Sequence, residues 1–152
     1  MKLSTKGRYA MVAIADLALQ PPGHRATLSE IAKRQDISIS YLEQLFVKLR
    51  RSGLVTSARG PTGGYVLGRS PHEIRIIDVL SAVEETLDAM YKGVGASGAV
   101  SGSKAQSLTN RLWESISANV YVLLHQTRLS DVIDNDLVPC PALPNLFSFV
   151  DE

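Results

Sequence analysis

The chain has 152 residues, 45% of them hydrophobic and 20% charged, with a formal net charge of +1. That length fits one domain of ordinary size or a small domain with an appendage, and the apolar fraction supports a buried core rather than wholesale disorder. No apolar run approaches the roughly 18 residues of a spanning helix. Residues 1–7 are polar and lead into no hydrophobic signal region, which predicts cytoplasmic residence. The single cysteine, Cys140, excludes an internal disulfide and a Cys-rich zinc site within one chain.

The small net charge conceals an asymmetry. Residues 1–70 carry 11 Lys and Arg against 4 Asp and Glu, whereas residues 71–152 carry 5 against 11. A basic first half joined to an acidic second half suggests a polyanion-binding domain attached to a part that does not touch the polyanion. Two merely solvated surfaces would look the same on charge alone.

The first predicted helix runs from about Thr5 to Leu19. Its apolar residues are so dense that most of it should be buried, and Gln20-Pro21-Pro22-Gly23 ends it. Thr27-Leu28-Ser29-Glu30 reads as a capping box opening a short helix, with Leu28, Ile31 and Ala32 on one face. Asp36 to Ser40 reads as a turn. A third helix follows, with Tyr41, Leu42, Leu45, Phe46 and Leu49 at helical spacing, Ser40 and Glu43 as a second capping pair, and Arg50-Arg51-Ser52-Gly53 closing it.

Two strands, Leu54–Ala58 and Tyr65–Leu67, then flank the turn residues Arg59-Gly60-Pro61-Thr62-Gly63-Gly64. Two short helices joined by a tight turn and followed by a hairpin give the winged helix-turn-helix order.

Ile76 to Glu85 predicts another helix. Residues 93–103 contain four glycines and three serines and have the composition of a flexible loop. Leu108, Leu112, Ile116, Val120 and Leu124 recur every four residues, one stripe of a helix of roughly 18 residues and about 27 Å. Too little chain remains to cover that stripe, so a second copy is the economical partner, with folding back on the first helix as the alternative. A short helix at Leu129–Asp134 and a proline-rich, extended tail complete the chain. The expected organisation is mainly α: a winged helix-turn-helix domain over 1–70, a connecting helix and flexible loop over 71–106, a dimerisation helix with a short following helix over 107–135, and a tail over 136–152.

Several of these segments resemble one family. Met1-Lys2-Leu3-Ser4-Thr5-Lys6-Gly7-Arg8-Tyr9-Ala10, Ser38-Ile39-Ser40-Tyr41-Leu42-Glu43-Gln44-Leu45-Phe46 and Arg59-Gly60-Pro61-Thr62-Gly63-Gly64-Tyr65 are similar to the opening, recognition-helix entry and wing of the IscR-type winged-helix transcription regulators. The similarity continues through Asp78-Val79-Leu80-Ser81-Ala82-Val83-Glu84 and reappears at Ser107-Leu108-Thr109-Asn110-Arg111-Leu112-Trp113. The resemblance implies a DNA-binding homodimer that regulates genes of iron–sulfur cluster assembly or a related stress response.

In a helix-turn-helix protein the N-terminal residues of the recognition helix meet base edges in the major groove. Ser38, Ser40, Tyr41, Glu43 and Gln44 are the polar groups at that end. Gln pairs bidentately with adenine, and Glu accepts from cytosine N4. A carboxylate also repels phosphate, so Glu43 reads as selective rather than affinity-giving, with a pure capping role as its alternative. Arg59, at the base of the wing, suits a narrow minor groove. Thr62 and the N–H groups of Gly63 and Gly64 suit close approach to phosphate. Lys2, Lys6, Arg8, Lys33, Lys48, Arg50 and Arg51 are phosphate candidates, with ordinary solvated surface as the competing reading for at least half of them.

The resemblance also raises a cofactor. Sensor members of that family hold a [2Fe–2S] cluster in the loop before the long helix, through three cysteines and a histidine. Here residues 91–107 contain no cysteine, and Ser107 and Asn110 stand at the third cysteine and histidine positions. Thiolates are the usual ligands of such clusters, so this loop does not hold one in the family's manner. Three readings stay open: a cluster-free regulator, constitutive or responding to a small molecule; an iron–sulfur cluster of unusual ligation, with Cys140 as thiolate and His24, His72, His125, Asp134 or Asp136 as helpers; or Cys140 as a redox-sensitive or inert thiol. An enzyme is the rival class, but no Ser-His-Asp spacing, phosphate loop or zinc motif is present. A module binding an acidic protein is the other rival, and nothing in the sequence asks for one.

Overall fold

The computed structural model describes residues 4–58, 63–85 and 102–137. The elements run α1 (Thr5–Leu19), α2 (Leu28–Gln35), α3 (Ile39–Arg51), β1 (Val55–Ala58), β2 (Gly64–Leu67), α4 (Ile76–Ala82), α5 (Lys104–Gln126) and α6 (Leu129–Ile133). The mainly α winged helix-turn-helix architecture with a long C-terminal helix is therefore present. Lys2, Arg59, Thr62 and Cys140, with most of the glycine loop and the tail, lie outside the described residues.

Local chemistry explains the boundaries. The Thr27 side chain accepts from the Glu30 N–H at 3.2 Å while the Glu30 carboxylate accepts from the Thr27 N–H at 2.7 Å, so α2 begins at the expected capping box. The turn after α2 passes through Asp36 in the left-handed region (φ 52°). The expected second capping pair is corrected: α3 is capped by Ser38, whose Oγ accepts from the Tyr41 N–H at 3.2 Å, and Ser40 already lies inside the helix. The cap therefore falls two residues earlier than the Ser40–Glu43 pattern suggested.

A single apolar core gathers Ala10, Ala13, Ile14 and Leu17 of α1, Ile31 of α2, and Leu42, Leu45, Phe46 and Leu49 of α3. It continues past residue 70, because Ile74, Val79 and Val83 around α4 and Leu129 of α6 share it. The expectation that most of α1 is buried is too strong: Val12 and Leu19 are exposed. Conversely α1 buries a carboxylate. Asp16 receives Arg34 Nε at 3.0 Å, Arg34 Nη2 at 2.7 Å and Gln35 Nε2 at 2.7 Å, which ties α1 to α2. Burial pushes the Asp16 carboxyl up, but the Arg34 and Gln35 hydrogen bonds, the guanidinium charge and Gln20 outweigh it and hold the carboxyl below its ordinary range.

The hairpin pairs β1 with β2 antiparallel, Val55 opposite Leu67 and Ala58 opposite Gly64. Tyr65 also exchanges backbone hydrogen bonds with Ala26, at 2.8 and 3.1 Å, so the hairpin is fastened to the chain just ahead of α2. Gly64 fits there because a Cβ would stand 3.0 Å from the Ala26 carbonyl oxygen. After α5 the chain returns to the same body: Leu129 N–H donates to Ile74 O and Ile76 N–H to Thr127 O, in a bridge between Arg75 and Arg128.

Candidate nucleic-acid interface

Helix α3 presents two faces. Leu42, Leu45, Phe46 and Leu49 are buried, and the Phe46 ring meets Tyr65 of β2 edge-on at 4.8 Å between centroids, so the helix and the hairpin are set against each other by a side-chain contact. At about 100° per residue, Ser40, Glu43, Gln44, Val47 and Arg51 fall in an opposite sector about 100° wide, and all five are exposed. Arg50 is exposed at the edge of that sector.

The structure thus brings Ser40, Glu43 and Gln44 onto one outward strip with basic residues at its C-terminal end. It uses two of the other candidates locally. The Ser38 hydroxyl caps α3 and lies 3.5 Å from the Ser40 hydroxyl. Tyr41 is half-buried, its ring edge-on to Tyr9 of α1 at 5.5 Å. Gly63 and Gly64 lie at the turn end of the hairpin, Gly64 opposite Ala58. Arg8 is exposed in the first turn of α1.

The sequence reading missed a clasp that fixes the start of α1. The Glu85 carboxylate accepts from the Gly7 N–H at 2.9 Å, from the Ser4 N–H at 3.4 Å and from the Ser4 hydroxyl. Three donors at a helix N-terminus thereby find one acceptor. A Cβ on Gly7 would collide with the same carboxylate. Burial pushes the Glu85 carboxyl up, yet the Ser4 and Gly7 hydrogen bonds and the Lys6 charge together keep it below its ordinary range. Its neighbour Glu84, in the left-handed region at φ 57°, accepts from Lys48 Nζ of α3 at 2.8 Å, and its carbonyl accepts from Lys6 Nζ at 2.9 Å. The hydrogen bond and charge of Lys48 hold the Glu84 carboxyl down. Two phosphate candidates, Lys6 and Lys48, are therefore engaged by the last turn after α4. A capping carboxylate 78 residues from the glycine it serves leaves no local pattern to read.

Helix α5 has 23 residues and not one of them is buried. Leu108, Leu112 and Leu123 are each more than half exposed and lie within about 60° of one another around the helix, over about 22 Å of its length. At its start Ser107 is exposed and Asn110 half-buried. Among the described residues no three His, Cys, Asp or Glu side chains are grouped to hold a metal ion, and most of the loop before α5 lies outside them. His24, His72 and His125 stand on separate elements. No helix among the described residues is long and apolar enough to cross a membrane.

An outward polar strip on the second helix of a helix-turn-helix, backed by a hairpin and joined to a long helix with exposed leucines, defines a winged-helix DNA-binding regulator. The model of the Rrf2 family, described as iron-dependent transcriptional regulators, matches residues 3–135, and the chain belongs to that family. The HTH-type transcriptional regulator IscR of Cereibacter sphaeroides is 66% identical over 154 residues, covering 100% of this chain and 99% of that protein. IscR of Pectobacterium carotovorum is 44% identical over 135 residues, with 89% of this chain and 80% of that protein covered. Among solved structures, CymR of B. subtilis, titled the global cysteine regulator, superposes with a TM-score of 0.73 at 33% identity over 89% of this chain and 98% of its own. IscR of T. potens gives 0.69 at 33% identity over 89% and 88%. The Cereibacter sphaeroides and Pectobacterium carotovorum relatives are named as transcriptional regulators, not as enzymes.

Proposed function

We propose that two copies of this chain, associated through α5, read an imperfectly palindromic duplex. Its half-sites stand about one or two helical turns apart. In each copy Ser38, Ser40, Tyr41, Glu43 and Gln44 serve the major groove, with Glu43 and Gln44 discriminating bases. Arg59 enters the minor groove, Thr62, Gly63 and Gly64 approach phosphate, and Lys2, Arg8 and Arg50 contact the backbone. The outward strip of α3, exposed above a wholly buried face and set against the hairpin by Phe46 and Tyr65, carries this reading. The exposed leucines of α5 support the second copy. A gel shift with selected and scrambled duplexes tests it. Glu43→Ala is expected to change base preference more than affinity, and binding should weaken steeply with salt through counterion release. A flat salt response or indifference to base order would overturn the assignment.

The relatives named IscR and the family's description as iron-dependent support a cytoplasmic role in the control of iron–sulfur or iron-homeostasis genes. For the cofactor we propose an iron–sulfur cluster, [2Fe–2S] in type, whose thiolate is Cys140 rather than a residue of the loop before α5. The lack of any cysteine in residues 91–107 favours the second reading, a cluster-free repressor responding to redox state or a small molecule. Iron and sulfide quantitation with visible absorption on anaerobically purified protein, wild type against Cys140→Ser, separates the two. An iron-free, colourless wild type that still binds its duplex would retire the cluster.

A further inference from the structure

Val47 sits where the interface should be most polar. It lies within about 20° of Ser40 and about 40° of both Glu43 and Arg51 on the α3 wheel. It is 45% exposed, and the four side chains that share its sector are all polar or charged. Nothing in the fold asks for valine here: the buried face of α3 is supplied by Leu42, Leu45, Phe46 and Leu49. A β-branched residue also lowers helix propensity relative to Ala, Lys or Gln. What a compact apolar side chain can do on a groove-facing helix is touch the C5-methyl of thymine, the one apolar group on the major-groove edge of a base pair.

We propose that Val47 is a specificity residue that reads a thymine methyl. This rests on the assignment of α3 as the groove-reading helix. Val47 is three residues beyond Gln44, about 4.5 Å along the helix axis at 1.5 Å per residue, against 3.4 Å per base step. The thymine therefore lies about one base step from the base that Gln44 contacts. Because the contact is apolar it adds no phosphate charge. It changes which sequence is bound without changing the salt slope.

The test uses the full chain and the duplex it enriches from a randomised library, with each half-site thymine replaced in turn by deoxyuridine, which lacks only the methyl. Wild type should lose about four-fold in affinity at one position per half-site, the worth of one buried methyl-sized group, and about fifteen-fold when both half-sites are changed. Val47→Ala should bind the thymine and deoxyuridine duplexes alike, with unchanged affinity for a scrambled duplex and an unchanged salt slope. Val47→Thr, which keeps one methyl, should retain part of the discrimination, and thermal melts of both variants show that the fold is intact. An enriched half-site with no methyl-sensitive thymine, or a Val47→Ala protein with undiminished sensitivity to deoxyuridine, would overturn the proposal while leaving the DNA-reading assignment standing. A wild type that prefers no duplex over a scrambled one would overturn both.

Discussion

The body formed by α1 to α4 with α6 and the rod formed by α5 obey different rules. In the body every helix of eight or more residues has a buried face, and one core runs continuously from Ala10 to Leu129. In α5 no residue is buried, although Leu108, Leu112, Tyr121, Val122 and Leu123 are apolar or aromatic and half exposed or more. The body is thus a fold complete within one chain, whereas the rod has apolar surface in search of a cover. Within proteins, most of a helix's stability comes from packing of its apolar face rather than from propensity. A rod of this length therefore makes sense as half of an interface, and the proposed second copy supplies the other half.

Introducing charge on the rod gives the largest effect and tests that division directly. Leu112→Glu combined with Leu123→Glu should convert the protein to a single subunit in sedimentation. It should cost about a hundred-fold or more in operator affinity, since two linked reading heads gain that much over one. The body should still melt cooperatively, because its core borrows nothing from the exposed face of α5. If the body unfolded along with dissociation, the two regions would be one unit and the comparison would fail.

Within the body, Asp16→Ala leaves Arg34 without its carboxylate and removes the tie between α1 and α2. A fully buried pair would lose more, but Arg34 keeps 37% of its side chain exposed, so a loss of about 2 kcal/mol is expected in urea unfolding. Gly7→Ala drives a methyl into the Glu85 carboxylate and should cost about 1–2 kcal/mol. The pH dependence follows from the same groups. Asp16 and Glu85 both titrate lower in the folded chain than when unfolded, so between the two values the unfolded chain binds more protons. Their stabilisation is complete above the ordinary carboxylate value of about 4 and is lost as pH falls below it. Melting temperature should be level from neutral pH down to about 5 and decline below about 4, and Asp16→Asn should flatten part of that decline.

These residues also show where a sequence stops being readable. Thr27 and Glu30 announce α2 because both halves of a capping box lie within one turn, and Leu108 to Leu124 announce α5 because their spacing is that of a helix. Ser38 caps α3 in place of Ser40 because a hydroxyl signal is degenerate over neighbouring serines. Asp16 carries no local signal of its role, since its partners Arg34 and Gln35 arrive from another helix. Glu85 was invisible as a cap for the same reason. On α3, the position of Ser40, Glu43 and Gln44 in the first turns of the helix is legible in the sequence. The engagement of Lys48 by Glu84 is not, because charge counting offers that lysine only as a phosphate candidate or as solvated surface.

That engagement gives the smallest and most selective effect. The Lys48–Glu84 pair is solvent-exposed, with 36% and 76% of the two side chains accessible, so removing it should leave stability unchanged within error. Its consequence belongs to DNA binding. Glu84 places a carboxylate 2.8 Å from a cation of α3, the proposed reading helix, where it would compete with phosphate for that cation. Glu84→Gln keeps the size and removes the charge. Operator affinity should rise about two- to three-fold at moderate salt, and the plot of log affinity against log salt should steepen by up to about one unit for each lysine released to a phosphate. Lys48→Ala should lower affinity only slightly in the wild type, because its cation is already partnered, and should cancel the gain when added to Glu84→Gln. If Glu84→Gln instead weakened binding with an unaltered salt slope, the carboxylate would be holding α3 in position rather than restraining its charge, and the last turn after α4 would belong with the scaffold rather than with the interface.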